Sequence, residues 1–172
     1  MIKSIIFIGM AGVGKSSIGK AVASHYNFKF IDTDRLISAD YSQPLSQIID
    51  DIGSEEFNQL EANYVRKSVD DRAIISPGGS FIYSTETINE IKKEVVFLYL
   101  FDEPDNIKAR ISNLETRGIV GLDKKTFEEL CFERHELYQG VANAQFQLNH
   151  YGFDQVTVQI INYLDKLNGF PF

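Results

Sequence analysis

Apolar residues follow two different rhythms along this chain. Short runs rich in β-branched and aromatic residues, at Ser4–Ile8, Phe28–Ile31, Ala73–Ser76, Val95–Phe101 and Gln145–Leu148, predict five strands. Between them apolar positions recur at helical spacing. These stretches predict helices over Lys15–His25, Arg35–Ala39, Leu45–Asp51, Glu55–Val69, Thr85–Lys92, Pro104–Leu114, Lys124–Gln139 and Phe153–Leu167. Strands alternating with helices imply parallel pairing and a sheet covered by helices, an α/β fold. The run Val95–Phe101 has no polar alternation and is expected at the sheet centre. Without an internal repeat, low-complexity tract or linker, residues 1–172 read as a single domain. The tail from Asn168 to Phe172 is expected to fray, unless its two phenylalanines dock.

Bulk properties narrow the function classes. With 172 residues, 44% of them hydrophobic, the chain can bury a full core. A net charge of −7 argues against a nucleic-acid surface, which needs clustered Lys and Arg. The single cysteine, Cys131, excludes an internal disulfide and is expected to pack beside Leu130 and Phe132. No run approaches the ~18 apolar residues of a membrane span. The first apolar run meets a glycine loop instead of a small-residue cleavage site, so the expectation is a soluble cytoplasmic protein.

In open α/β sheets ligands bind beyond the carboxyl ends of the strands, so the strand exits carry the candidate chemistry. After the first strand comes FIGMAGVGKSSIGKA, Phe7 to Ala21, in which Gly9, Gly14, Lys15 and Ser16 fit G-x-x-x-x-G-K-[ST] with Gly12 to spare. The alternative, a glycine turn into an ordinary helix, leaves the strand-loop-helix context unused. Amides of a tight loop at a helix N-terminus surround an anion. Gly12, Val13, Gly14, Lys15, Ser16 and Ser17 are therefore expected to bind a nucleoside triphosphate. Lys15 suits the β- and γ-phosphates, and the Ser16 hydroxyl suits Mg²⁺. The second strand ends in Asp32-Thr33-Asp34. Asp32 is placed to hold the metal, directly or through water, and Asp34 to orient or deprotonate a substrate hydroxyl. Asp34 is equally a candidate N-cap for the helix beginning at Arg35. After the third strand, Gly78 and Gly79 either offer amides to a ligand or make a plain turn.

Three arginines follow the fourth strand. Arg110 lies on a helix, where arginines are commonly just solvated. Arg117 lies in NLETRGIVGLDKKT, whose Gly118 and Gly121 suit a lid over about residues 114–124. A lid arginine stabilises charge on the transferring phosphoryl and helps exclude water. Arg134, in FERHELYQGVA at a predicted helix end, either grips a carboxylate bidentately or joins a surface pair with Glu129 or a neighbour of Glu133.

Taken together, GMAGVGKS, FIDTD, GSEEFNQLE, SPGGS, TRGIV and ERHELYQGVA resemble the shikimate kinase family of P-loop small-molecule kinases, nearly end to end. The resemblance implies a P-loop NTPase-type three-layer fold, with a five-stranded parallel sheet of order 2-3-1-4-5 flanked by helices. It implies ATP and Mg²⁺ as cofactors, and a monomer whose partner is a small-molecule substrate, with no nucleic acid or membrane involved. In such a kinase Arg110 lies near the adenine, the segment Asn149–Phe153 lines its pocket and Arg117 serves the lid. Arg134 holds the acceptor carboxylate, and Asp34, Asn58, Gly78 and Gly79 contact the acceptor. The pattern departs from the family on the acceptor side. Asn58 stands where a second carboxylate-binding arginine is expected, Ser80 replaces a third glycine, and Gly118-Ile119-Val120 replaces Pro-Leu-Leu. Shikimate is the leading acceptor. The alternatives are a same-family kinase for a sugar acid or amino alcohol, and a nucleotide-binding module without catalysis.

Overall fold

Five strands form one parallel sheet in the order β2-β3-β1-β4-β5, as the resemblance implied. The strands are β1 Ser4–Ile8, β2 Lys29–Asp32, β3 Ala73–Ser76, β4 Val95–Phe101 and β5 Ala144–Gln147 in this computed structural model, which describes residues 2–111, 118–148, 152–167 and 170. Ile5 pairs with Ile74 on one side and Val96 on the other, so β1 is the central strand. The expectation that β4 holds the centre is corrected. Apolar residues throughout mark a strand flanked on both edges and covered on both faces, which β1 and β4 both are. The edge strand β2 is partly exposed and starts at Lys29, a charged position that discourages further pairing.

The described helices are α1 Lys15–Tyr26, α2 Thr33–Tyr41, α3 Leu45–Ile52, α4 Ser54–Ser68, α5 Thr85–Ile91, α6 Pro104–Arg110, α7 Phe127–Val141 and α8 Phe153–Leu164, with a 3-10 turn at Gly79–Tyr83. Two predicted boundaries move for local reasons. The last predicted helix before β5 begins at Phe127 and not Lys124, because Thr126 and Glu129 form a reciprocal capping box. Its hydroxyl accepts from the Glu129 amide at 3.2 Å and the Glu129 carboxylate accepts from the Thr126 amide at 2.7 Å. The helix after β4 ends at Arg110, with Ile111 extended; residues 112–114 of the predicted span lie outside the described residues. α1 stops at Asn27, whose left-handed φ of 55° lets its N–H return to the helix carbonyls.

One continuous apolar cluster covers both sheet faces and includes Phe7, Phe97, Phe81 and Tyr138. Cys131 packs against it, as expected, and burial pushes its thiol up to about 12, which leaves it inert at neutral pH. Of the expected tail only Phe170 is among the described residues, and its ring meets Tyr26 edge-on at 4.6 Å. A second, smaller cluster joins Ile37, Ile48 and Phe57 of α2, α3 and α4 to Val120. It ties the stretch after Gly118 to the sheet's β2 side. Among the described residues no helix is long and apolar enough to cross a membrane.

The capping box yields a test. Thr126→Ala should lower stability by about 1 kcal/mol in urea unfolding with an unchanged m-value. An unaltered midpoint would show that packing alone sets the start of α7.

Candidate active site

Because all strands run one way, the exits of β1, β2 and β3 share one edge, and two cavities meet there. The first, about 300 Å³, lies over the glycine loop and the first turn of α1, from Gly12 to Ser17, and reaches Asp32, Asp34, Ser76 and Pro77. α1 starts without a side-chain cap, so its first amides, which have no intrahelical acceptor, belong to this cavity. Gly12, apparently spare in the motif, is required: its φ is +83°, a region other residues enter at a cost, and a Cβ there would come within 2.4 Å of Ile111. Val13 differs from its neighbours. Its side chain is buried in the core and its N–H donates to the Met10 carbonyl at 3.3 Å. Lys15 is buried, and Nζ donates to the carbonyls of Gly9 at 2.7 Å and Met10 at 2.9 Å. Ammonium and helix terminus together make this end of the cavity positive.

The opposite wall is acidic. Ser16 Oγ donates to Asp32 Oδ2 at 2.8 Å. Neighbouring ligands of an Mg²⁺ octahedron with bonds of ~2.0–2.1 Å lie about 2.9 Å apart, so this hydroxyl and carboxylate already have the spacing to share one ion. The other Asp32 oxygen accepts the Arg35 amide at 3.2 Å and caps α2. This corrects the expectation that Asp34 caps the helix: Asp34 sits inside the first turn and borders both cavities. At the outer end, Arg110 pairs with Asp102, and its guanidinium lies 5.7 Å from the Phe153 ring centre. Arg117 and residues 149–151 lie outside the described residues.

The second cavity is small, about 20 Å³, room for about one water. It is enclosed by Asp34, by Phe57 and Glu61 of α4, by Gly78, Gly79 and Ser80, by Arg134, and by residues 118–120. Gly118 borders it and packs tightly on the start of α3: with φ +71°, its Cβ position lies 2.6 Å from the Ser46 amide. Arg134 is 1% exposed, so the expected surface pair with a neighbouring glutamate does not form. α7 runs on to Val141, which puts Arg134 mid-helix on the inward face. Its Nη2 donates to the Val120 carbonyl at 2.7 Å and its Nε to the Tyr83 hydroxyl at 3.2 Å. Tyr83 in turn donates to Glu133 at 2.6 Å. The Tyr138 hydroxyl donates to the Gly79 carbonyl at 2.7 Å and fixes the turn after β3. Tyr83 had no role in the sequence reading, and Val120 figured there only as part of the lid's departure from the family pattern.

A third, larger hollow of about 860 Å³ lies outside residues 118–124 and is bordered by Asp50, Glu55, Glu56 and Asp123. Its acidic rim suits no phosphate, so charge and not volume selects the first two cavities.

A model described as shikimate kinase matches residues 11–165. Shikimate kinases of Caldanaerobacter subterraneus subsp. tengcongensis and Pelotomaculum thermopropionicum are 29% and 30% identical to this chain, covering 97% and 96% of it and 99% and 98% of their own lengths. The fold matches a solved shikimate kinase from Acinetobacter baumannii in complex with shikimate, with a TM-score of 0.84 at 19% identity over 97% of this chain and 96% of that one. The chain belongs to the shikimate kinase family. It is a phosphotransferase of the shikimate kinase type, acting on an alcohol acceptor.

Within that family this member's departures now have positions. Asn58, expected on the acceptor, borders neither cavity, and its buried Oδ1 has no hydrogen-bond partner among the described residues. Arg66 is engaged with Glu90 at 2.7 Å and with Asn63 and Thr87, and does not substitute for a cation at position 58. The Ser80 hydroxyl donates to Glu61 Oε2 at 2.7 Å. Glu61 is wholly buried, and burial first, then the Asp34 charge, push its carboxyl up to about 8.

This shift has a stability consequence. Unfolded, Glu61 loses its proton near pH 4.3; folded, it keeps it to about 8. The folded state therefore holds the extra proton between these values, and stability falls as pH rises through that window. Glu61→Gln should remove this loss, raising Tm relative to the parent by at least about 2 °C more at pH 8 than at pH 5. Parallel Tm-versus-pH curves would contradict the shift.

Proposed function

We propose that this enzyme transfers the γ-phosphoryl of ATP to a hydroxyl of shikimate, forming shikimate 3-phosphate with Mg²⁺ bound. The observation that carries the reading is a shared wall: Ala11 and Asp34 border both the phosphate-loop cavity and the small cavity ending at Arg134. A phosphoryl group passing between the cavities passes Asp34.

In this mechanism the amides of Gly12 and of Gly14 to Ser17 and the Lys15 ammonium hold the triphosphate, with Arg110 and Phe153 on either side of the base. Ser16 and Asp32 would hold Mg²⁺, which supplies neutralisation of charge on the phosphates. Asp34 orients the acceptor hydroxyl and takes its proton. The hydroxyl oxygen bonds to the γ-phosphorus as the bond to the β,γ-bridging oxygen breaks, so catalysis comes from positioning and charge. Gly78 and Gly79 line the acceptor, and Arg117 stabilises the phosphoryl in transit. The acceptor carboxylate replaces the Val120 carbonyl on Arg134. The small cavity is too tight for a ring acid as it stands, so residues 118–120 lift from α3 to admit it. The reading treats residues 1–172 as a single cytoplasmic, monomeric kinase domain with its lid about 114–124.

A second reading, a kinase of this family for another hydroxylated acceptor, is favoured by Asn58. Without a guanidinium there, Arg134 is the one cation among the described residues bordering the acceptor cavity. A coupled ADP-release assay on a panel of acceptors separates the two. Strong turnover of shikimate supports the first; turnover of a different acceptor with none on shikimate overturns it. Lys15→Ala should bring turnover to background, and activity within a few fold of the parent would remove the loop from catalysis. Arg134→Ala should raise KM for shikimate roughly ten- to a hundredfold, the cost of a lost charged hydrogen bond, with kcat changed less. An unchanged KM would rule out Arg134 as the carboxylate site.

A further inference from the structure

The guanidinium of Arg134 stands between two hollows. The acceptor cavity takes in Arg134 with Gly79 and Val120, but not Tyr83. A separate hollow of about 180 Å³ is bordered by Tyr83, Val120, Lys125 and the same Arg134. Tyr83, the last residue of the 3-10 turn after β3, therefore meets the guanidinium from outside the acceptor cavity. Its guanidinium carbon lies 5.2 Å from the Tyr83 ring centre.

Hydrogen-bond direction says what Tyr83 does there. A guanidinium has one N–H on Nε and two on each Nη. The Nε hydrogen goes to the Tyr83 hydroxyl at 3.2 Å. That hydroxyl has one hydrogen of its own, which goes to Glu133 at 2.6 Å, so its lone pairs are left for Arg134. Glu133 is fixed in turn by an ion pair with Lys125. The chain from Arg134 through Tyr83 to Glu133 thus runs one way. A guanidinium grips a carboxylate bidentately by its side edge, which uses Nε, or by its end edge, Nη1 with Nη2. With Nε on Tyr83 the side edge is closed. The end edge faces the acceptor cavity: a Cβ at Gly79 would come within 3.1 Å of Nη1, and Nη2 donates to the Val120 carbonyl at 2.7 Å.

We propose that Tyr83 is a positioning residue: by holding Nε it leaves Arg134 only its end edge, so the acceptor carboxylate docks on Nη1 and Nη2 and displaces the Val120 carbonyl to do so. The assignment rests on the kinase reading above, in which Arg134 takes the acceptor carboxylate. It matters more in this chain because Asn58 brings no second cation to the cavity. The pose of the acceptor before Asp34 is then set by the orientation of one guanidinium, and that orientation by the Tyr83 hydroxyl. Without the hydroxyl, Nε loses its acceptor and the guanidinium turns from the cavity toward Glu133.

The test is a cycle between variant and acceptor, read by calorimetric binding and, separately, by turnover. Tyr83→Phe keeps the ring beside the guanidinium and removes the hydroxyl alone. It and the parent are each given shikimate and the analogue whose carboxylate is replaced by a hydroxymethyl group. Tyr83→Phe should raise Kd for shikimate roughly tenfold and leave Kd for the hydroxymethyl analogue within about twofold of the parent. Equal losses on both acceptors would make Tyr83 a packing residue and overturn the proposal, as would an unchanged Kd for shikimate. A parent that binds both acceptors alike would remove Arg134 from the carboxylate and overturn this proposal together with that assignment. The expected cycle in binding without turnover of shikimate would overturn the phosphotransfer reading and support the part played by Tyr83. Turnover of shikimate with no such cycle does the reverse.

Discussion

The central strand leaves the sheet under a steric constraint that everything at the active edge inherits. Where β1 ends, its backbone passes so close to β4 that a Cβ at Gly9 would sit 2.3 Å from the Leu100 carbonyl. Only a bare backbone can turn there, and the turn feeds directly into α1. The helix thus begins at the middle of the sheet edge with its first amides unclaimed by a side-chain cap. Lys15 folds back onto the same loop through the Gly9 and Met10 carbonyls. Position, dipole and ammonium follow from one close approach.

Around this positive point stand three carboxyls, two at the exit of β2 and one on α4. Asp32 is tied to Ser16 and to the start of α2, which makes it rigid and suited to a metal. Asp34, two residues further along and inside the first turn of α2, borders both cavities, which in the kinase reading makes it the link between donor and acceptor. Glu61 lies deeper still, where burial changes its protonation. Three carboxyls of one chemistry thereby take three roles, set by how much water and which partner each keeps.

The acceptor side is held together differently, by a polar chain within an apolar setting. Arg134 joins the Val120 carbonyl to Tyr83, and Tyr83 joins it to Glu133, while Val120 itself sits in the cluster of Ile37, Ile48 and Phe57. The stretch that closes the acceptor cavity is therefore fastened at two kinds of contact. The guanidinium at its centre is the group the kinase reading assigns to the acceptor. In that reading closure and recognition compete for one cation, a natural means of coupling entry to release.

The strands, the phosphate loop and the sheet order were legible in the chain because each rests on local signals: apolar runs, glycine spacing, and the family pattern those motifs carry. The capping box of Thr126 and Glu129 was equally local, though it went unread in the helix boundary. Hidden were the facts that depend on what lies across space. No spacing rule tells that Asp32 and not Asp34 caps α2, since this depends on how far β2 runs before the helix begins. Nor does helical periodicity tell that Arg134 faces inward, because a buried guanidinium is tolerated only where Val120 and Tyr83 arrive to satisfy it. Sequence by itself determined the kind of chemistry, a phosphate loop with carboxylates at neighbouring strand exits. Tertiary structure alone decided which carboxyl caps a helix, which borders both cavities and which is neutral, because desolvation and hydrogen-bond partners come from segments far apart along the chain.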